Sequence, residues 1–236
     1  GPTTFGSTVG NQAAPLTSIA VSGGGQTNLG GNISTVGNQT YGGDLNLTKS
    51  TVLSGLDESI AGTITGNGNS LTLNFSGVTE LIGAKLTGVD NLSVIGGGTA
   101  KINGAIVTTG NQNFADAIEL LGGTTLDAGN GTITTAAVTG SNQTLTIGLG
   151  NQTGSVALGG NLALGGLITS NGSYDLAITG SVNNIAGATI LASTGYVTLG
   201  DSVTDTSRFT GGLTVPGAQV TSVAGTITTA GGVVLL

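Results

Sequence analysis

The chain has 236 residues, a net charge of −7 and only 6% charged residues, where an ordinary globular domain carries about 25%. Four Lys/Arg in total argue against a nucleic-acid interface and against attraction to anionic membrane surfaces. The absence of Cys and His removes disulfides, thiol chemistry and the usual zinc, copper, haem and iron–sulfur ligand sets.

With 37% hydrophobic residues and little charge, the chain can bury a core. Gly is abundant, at 46 residues, but lacks the every-third-residue period of collagen, and Pro numbers only 3. Gly1-Pro2 reads as a protease-cleavage scar, and the chain as a single segment, 1–236, of something longer. No apolar run reaches the roughly 18 residues of a membrane-spanning helix.

Strand signals follow one another along the chain. SIAVS (18–22), DLNL (44–47), SLTLNF (70–75) and NLSVI (91–95) alternate apolar residues with Ser, Thr or Asn. So do TITTAAV (132–138), QTLTIGL (143–149), SVALGGNLAL (155–164), DLAITG (175–180), YVTLG (196–200), GLTV (212–215) and TITT (226–229). Period two with one apolar face is the pattern of a half-buried strand. The connections are Gly-Asn, Asn-Gly, Gly-Gly and Ser-Gly, which accept positive φ. Helix formers are rare, and Gly interrupts almost every window. NFADAIELL (113–121) is the one helix-like stretch, and its context predicts a strand.

That context is an internal echo. GNQTYGGDLNL (37–47) returns 73 positions later as GNQNFADAIEL (110–120). Tyr41 maps to Phe114, Leu45 and Leu47 to Ile118 and Leu120, and Thr51 and Leu53 to Thr124 and Leu126. Ile19 and Val21 map to Leu92 and Val94. Repetition is regular over 3–150 and looser over 151–236. Short strands, small uniform inward residues and frequent turn Asn favour a parallel solenoid over a sandwich, because stacked Asn side chains can bond along the stack. A 73-residue repeat predicts three or four coils of about 18–25 residues, hence roughly ten coils and about 50 Å of rod.

The strings GNQTYGGDLNLTKSTVLSG, GNSLTLNFSGVTELIGAKLTG and GGTAKINGAIVTTGNQNFADAIELLGGTTLDAGNGTITTAAV resemble the repeats of filamentous-haemagglutinin-like adhesins. The resemblance covers 3–150 by residues and the rest by composition. It implies a right-handed parallel β-helix forming a stalk or fibre segment of a bacterial exoprotein exported by two-partner secretion. It also implies location at a Gram-negative-type outer surface, with adjacent fibre segments, a receptor or a glycan as partners. It brings no catalytic residue, metal ligand or cofactor.

Other chemistries have candidate residues. Asp57-Glu58, Asp116/Glu119 and Asp201/Asp205 are the close carboxylates. Pairs held about 5–9.5 Å apart serve glycoside hydrolysis, but cationic and aromatic sugar platforms are scarce here, so these read as solvated turn carboxylates. Asp201 and Asp205 could contribute to a calcium site. TIT at 63–65, 132–134 and 226–228 is the Thr-x-Thr of ice-binding solenoids, though unevenly spaced. Sequons begin at Asn32, Asn38, Asn46, Asn74, Asn91, Asn130, Asn142, Asn151 and Asn171 and permit glycosylation. Phe5, Tyr41, Phe75, Phe114, Tyr174, Tyr196 and Phe209 could stack on sugars, but the repeat equivalence of Tyr41 and Phe114 points to the core. The expected function is structural or adhesive, without catalysis; a carbohydrate- or calcium-binding module is the alternative.

Overall fold

A computed structural model describes residues 1–230 and 232–235. The chain is a parallel β-solenoid with three faces. Face one is an unbroken ten-stranded sheet running from Ile33–Ser34 through Thr51–Gly55 and on to Val220–Val223. Val9 adds a further rung by bridging to Ile33, which makes eleven coils. At the roughly 4.8 Å spacing of paired strands, the stack is about 50 Å tall.

Faces two and three begin as separate sheets. Face two starts with Ile19–Val21, Gln39–Tyr41 and Glu58–Ile60. Face three starts with Thr3–Phe5, Thr27–Leu29, Leu45–Leu47, Ile64–Thr65 and Leu86–Thr87. From Val78–Ile82 onward an eleven-stranded sheet covers both faces. Its long strands, such as Thr99–Val107 and Ala117–Asp127, turn the corner between faces in mid-strand, where the register shifts. Gly104 sits at one shift with φ of 86°, a conformation L-residues adopt rarely. NFADAIELL is not helical: it holds the end of the strand Gln112–Phe114, a corner at Ala115-Asp116 and the start of the strand Ala117–Asp127.

Pleating sends alternate residues inward, and parallel register stacks them into columns. On face one Ile33, Leu53, Leu73, Val94, Phe114, Thr135, Leu158, Ile178 and Leu199 form one buried column. Each fully buried large apolar side chain contributes about 1.5–3 kcal/mol. The outward column beside it is Val52, Thr72, Ser93, Asn113, Thr134, Ala157, Ala177, Thr198 and Ser222, without a charge.

The 73-residue echo does not span a whole number of coils. Gln39–Tyr41 lies on face two and pairs with Glu58–Ile60, whereas Gln112–Phe114 lies on face one and pairs with Ile133–Thr135. Likewise Leu45–Leu47 lies on face three, but its counterpart Ile118 and Leu120 on face two. The repeat covers three coils plus two faces, so it advances the pattern around the stack as well as along it. This is sterically permissible because every face makes the same demand, two inward side chains beyond each corner.

Candidate functional site

The recurrent segment is a buried corner. Thr35-Val36-Gly37-Asn38-Gln39 and Thr108-Thr109-Gly110-Asn111-Gln112 place a Gln with 0% exposure inside the stack. Gln39 Nε2 donates to Ile33 O at 3.2 Å, Thr35 Oγ1 at 3.4 Å and Ser54 O at 2.8 Å. Gln112 Nε2 donates to Ile106 O at 2.9 Å, Thr108 Oγ1 at 3.3 Å and Asp127 O at 2.8 Å. The sequence offsets are the same. Each Thr hydroxyl in turn donates to the following Gly carbonyl at 2.7 Å. Buried carbonyls where the chain turns thereby gain a side-chain donor, those of Ser54 and Asp127 in addition to the Thr35 and Thr108 N–H groups. One atom differs: Tyr41 Oη donates to Gln39 Oε1 at 2.9 Å, while Phe114 has no hydroxyl to offer Gln112 Oε1, which has no partner among the described residues. The echo is therefore a scaffold element.

The candidate carboxylates are dispersed, and three of them are not solvated. Glu58, Asp116 and Asp205 are 4%, 3% and 4% exposed, which corrects their reading as solvated turn groups. Asp57, at the corner, and Glu58, first in the strand, have separate tasks: Asp57 Oδ1 accepts the Val78 N–H at 2.8 Å and Glu58 Oε2 accepts the Glu80 N–H at 3.1 Å. Asp116 Oδ1 accepts the Gly97 N–H at 2.8 Å, while Glu119 faces outward and pairs with Lys101 at 3.6 Å. Asp205 Oδ2 accepts the N–H groups of Asp201 and Ser202 at 2.9 and 3.0 Å, which hold its carboxyl below the ordinary range. Asp57, Glu58, Asp116 and Asp205 thus each close backbone geometry. Among the described residues no group of three or more Asp, Glu, His or Cys could hold a metal ion.

Glu58 stands out. Burial, reinforced by the charge of Glu80, raises its pKa from an ordinary 4.5 to about 7, against the lowering effect of the Glu80 N–H. Its Oε1 has no partner among the described residues. Glu58 also raises the pKa of the Tyr41 phenol, after burial itself. Strand phase is the signal that locates it: Glu58 is the register partner of inward Gln39, and Ile60 that of inward Tyr41. Alongside lies a cavity of about 230 Å3 lined by Ser59, Ile60, Glu80, Ile82, Lys85 and Leu86, among others.

The remaining candidates separate by face. Ile64–Thr65 lies on face three, Ile133–Thr135 on face one and Thr226–Thr228 on face two, so the three TIT triplets form no common array. Tyr41, Phe75, Phe114, Tyr174 and Phe209 are buried and Phe5 is half-buried; among the described aromatics Tyr196 alone is exposed, at 53%. Sequon residues Asn32, Asn38, Asn130, Asn142, Asn151 and Asn171 are exposed. Asn46 is engaged in a ladder, Asn67→Asn46→Asn28→Thr4, with bonds of 2.7, 2.9 and 3.4 Å along face three. This is the inter-coil stacking anticipated for Asn.

Comparison with known proteins returned no match: no family model, no curated protein and no solved structure corresponds to the chain.

Proposed function

We propose that this chain is a stalk segment of a large bacterial surface or secreted adhesin, projecting from the cell or mediating attachment. The observation that supports it best is the unbroken face-one ladder of eleven coils, whose inward column is apolar at every position from Ile33 to Leu199 except Thr135. Such a stack separates whatever lies at its two ends by a distance set by its number of coils. The uncharged outward column of face one suits lateral contact with neutral surfaces, because no charge must be desolvated there. The sequence resemblance to filamentous-haemagglutinin-like repeats adds a Gram-negative-type outer surface and two-partner secretion to this reading. Receptors, glycans and neighbouring fibre segments are its partners. The candidate carboxylates are dispersed, and Asp57, Glu58, Asp116 and Asp205 each accept a backbone N–H, so no turnover is expected.

The test is attachment. Beads carrying the purified chain should be retained on epithelial monolayers or polysaccharide-coated glass above bare beads. The same protein should leave a panel of soluble polysaccharides intact. Retention equal to bare beads, together with release of reducing ends, would favour an enzyme and overturn the proposal.

A further inference from the structure

The stack has a seam. Face one continues through residues 71–95 without interruption, as Leu71–Phe75 pairs with strands on both sides. The other two faces do not. The three-stranded sheet of face two ends at Glu58–Ile60, and Val78–Ile82 opens a different sheet. The five-stranded sheet of face three ends at Leu86–Thr87. Within one coil, the face-two strand thus pairs only forward, with Thr99–Val107, and the face-three strand only backward, with Ile64–Thr65. The 3-10 turn Gly83–Lys85 joins them. A cavity flanks each break: about 230 Å3 between Ser59 and Leu86, and about 400 Å3 lined by Ile82, Gly83, Asn103, Gly104, Ala105 and Val107.

On face two, side chains cross the break. Asp57 Oδ1 receives the Val78 N–H, Glu58 Oε2 receives the Glu80 N–H, and Lys85 Nζ donates to Ala61 O at 2.7 Å. We propose that this seam is a pH-sensitive bending joint, with continuous face one as the hinge and Glu58 as the latch on the opposite side. A hinge needs one continuous element and a side that can open; face one is continuous, and the sheets of the other two faces are interrupted at the seam.

The latch is buried, and only the Glu80 N–H favours its charge, against burial and the Glu80 carboxylate. Tyr41 on the preceding coil presents a neutral phenol, Gln39 a neutral amide, and Glu80 across the seam a carboxylate; the Asp57 carboxylate, just before the strand, is turned to the Val78 N–H. Protonated Glu58 fits this setting. Once ionised, its Oε1 is a buried charge without a counter-ion, and opening the seam admits water to it. The seam is therefore closed in mildly acidic solution and opens as pH rises through about 7, the value to which burial moves this carboxyl.

The chain has no native Cys, so paired spin labels can be placed freely. Labels at Thr40→Cys and Ala117→Cys span the seam on face two; labels at Val36→Cys and Asn113→Cys span it beside the hinge. Pulsed dipolar measurements at pH 5.5 and 8.5 should show the first distance lengthening and broadening at the higher pH, with the second nearly constant. Glu58→Gln should hold the first distance at its acidic value throughout. An unchanged distance in the unsubstituted background overturns the joint, whether or not the Gln variant folds. A pH response that persists in Glu58→Gln overturns the assignment of the latch.

Discussion

Two equivalent corners that differ by one hydroxyl make a matched experiment. Tyr41→Phe removes the donor to Gln39 Oε1, and Phe114→Tyr supplies one to Gln112 Oε1. Both rings are buried, at 0% and 1% exposure, so neither hydroxyl can bond to bulk water. An intramolecular hydrogen bond is worth about 0.5–1.5 kcal/mol net, and a buried polar atom left without one costs about 1–3 kcal/mol. Tyr41→Phe should therefore destabilise by about 1–2 kcal/mol. Phe114→Tyr should stabilise by about 1 kcal/mol, since Tyr41 already shows that the corner geometry admits the hydroxyl. For a chain of this size that corresponds to about 2–4 °C per kcal/mol in thermal midpoint. The assay is thermal unfolding of the two single variants and of the double swap. Loss of stability in Phe114→Tyr, or no loss in Tyr41→Phe, would refute the reading of these corners as hydrogen-bond scaffolds.

Other outcomes follow from the buried carboxylates. The folded state holds the Glu58 proton more tightly than the unfolded chain does, so ionisation opposes folding. Its contribution is neutral below pH 4.5, turns unfavourable as pH rises, and levels off above about 7. At about 1.36 kcal/mol per pH unit, the full penalty is about 3 kcal/mol. Urea midpoints of Glu58→Gln and the unsubstituted chain should coincide at pH 4.5 and separate in favour of Gln at pH 8.5. Asp205 behaves oppositely: its lowered pKa stabilises at neutral pH and that gain is lost as pH falls through the folded value. Asp205→Asn should flatten this acid limb, and hydrogen exchange at Asp201 and Ser202 should report it locally.

Much of the fold was legible because a solenoid repeats one simple demand. Alternating Leu71, Leu73 and Phe75, or Leu176 and Ile178, can only be inward pairs on a strand, and Gly- and Asn-rich links mark the corners. Short strands such as Ile33–Ser34 and Ile64–Thr65 carried too few residues for the period to register. The polar interior was hidden for a different reason. Gln112 sits in Gly-Asn-Gln, a composition typical of exposed turns, and only stacking of the next coil reveals the carbonyls it satisfies. Glu58 follows a turn Asp and resembles a solvated pair until register with Gln39 assigns it inward. The seam was not readable at all, because it is an absence of pairing between strands that are each ordinary in sequence.

As the proposed stalk segment, and with its seam closed in mildly acidic solution, the chain has a length set by coil number. The coil from Ile133 to Ser155 ends where its register partner Val156 begins, so it can be duplicated in phase. Small-angle scattering of variants carrying one and two extra copies measures the consequence. The account predicts a maximum dimension that grows by about 5 Å per added coil at constant cross-section. A constant maximum dimension, or growth in cross-section instead, would contradict it.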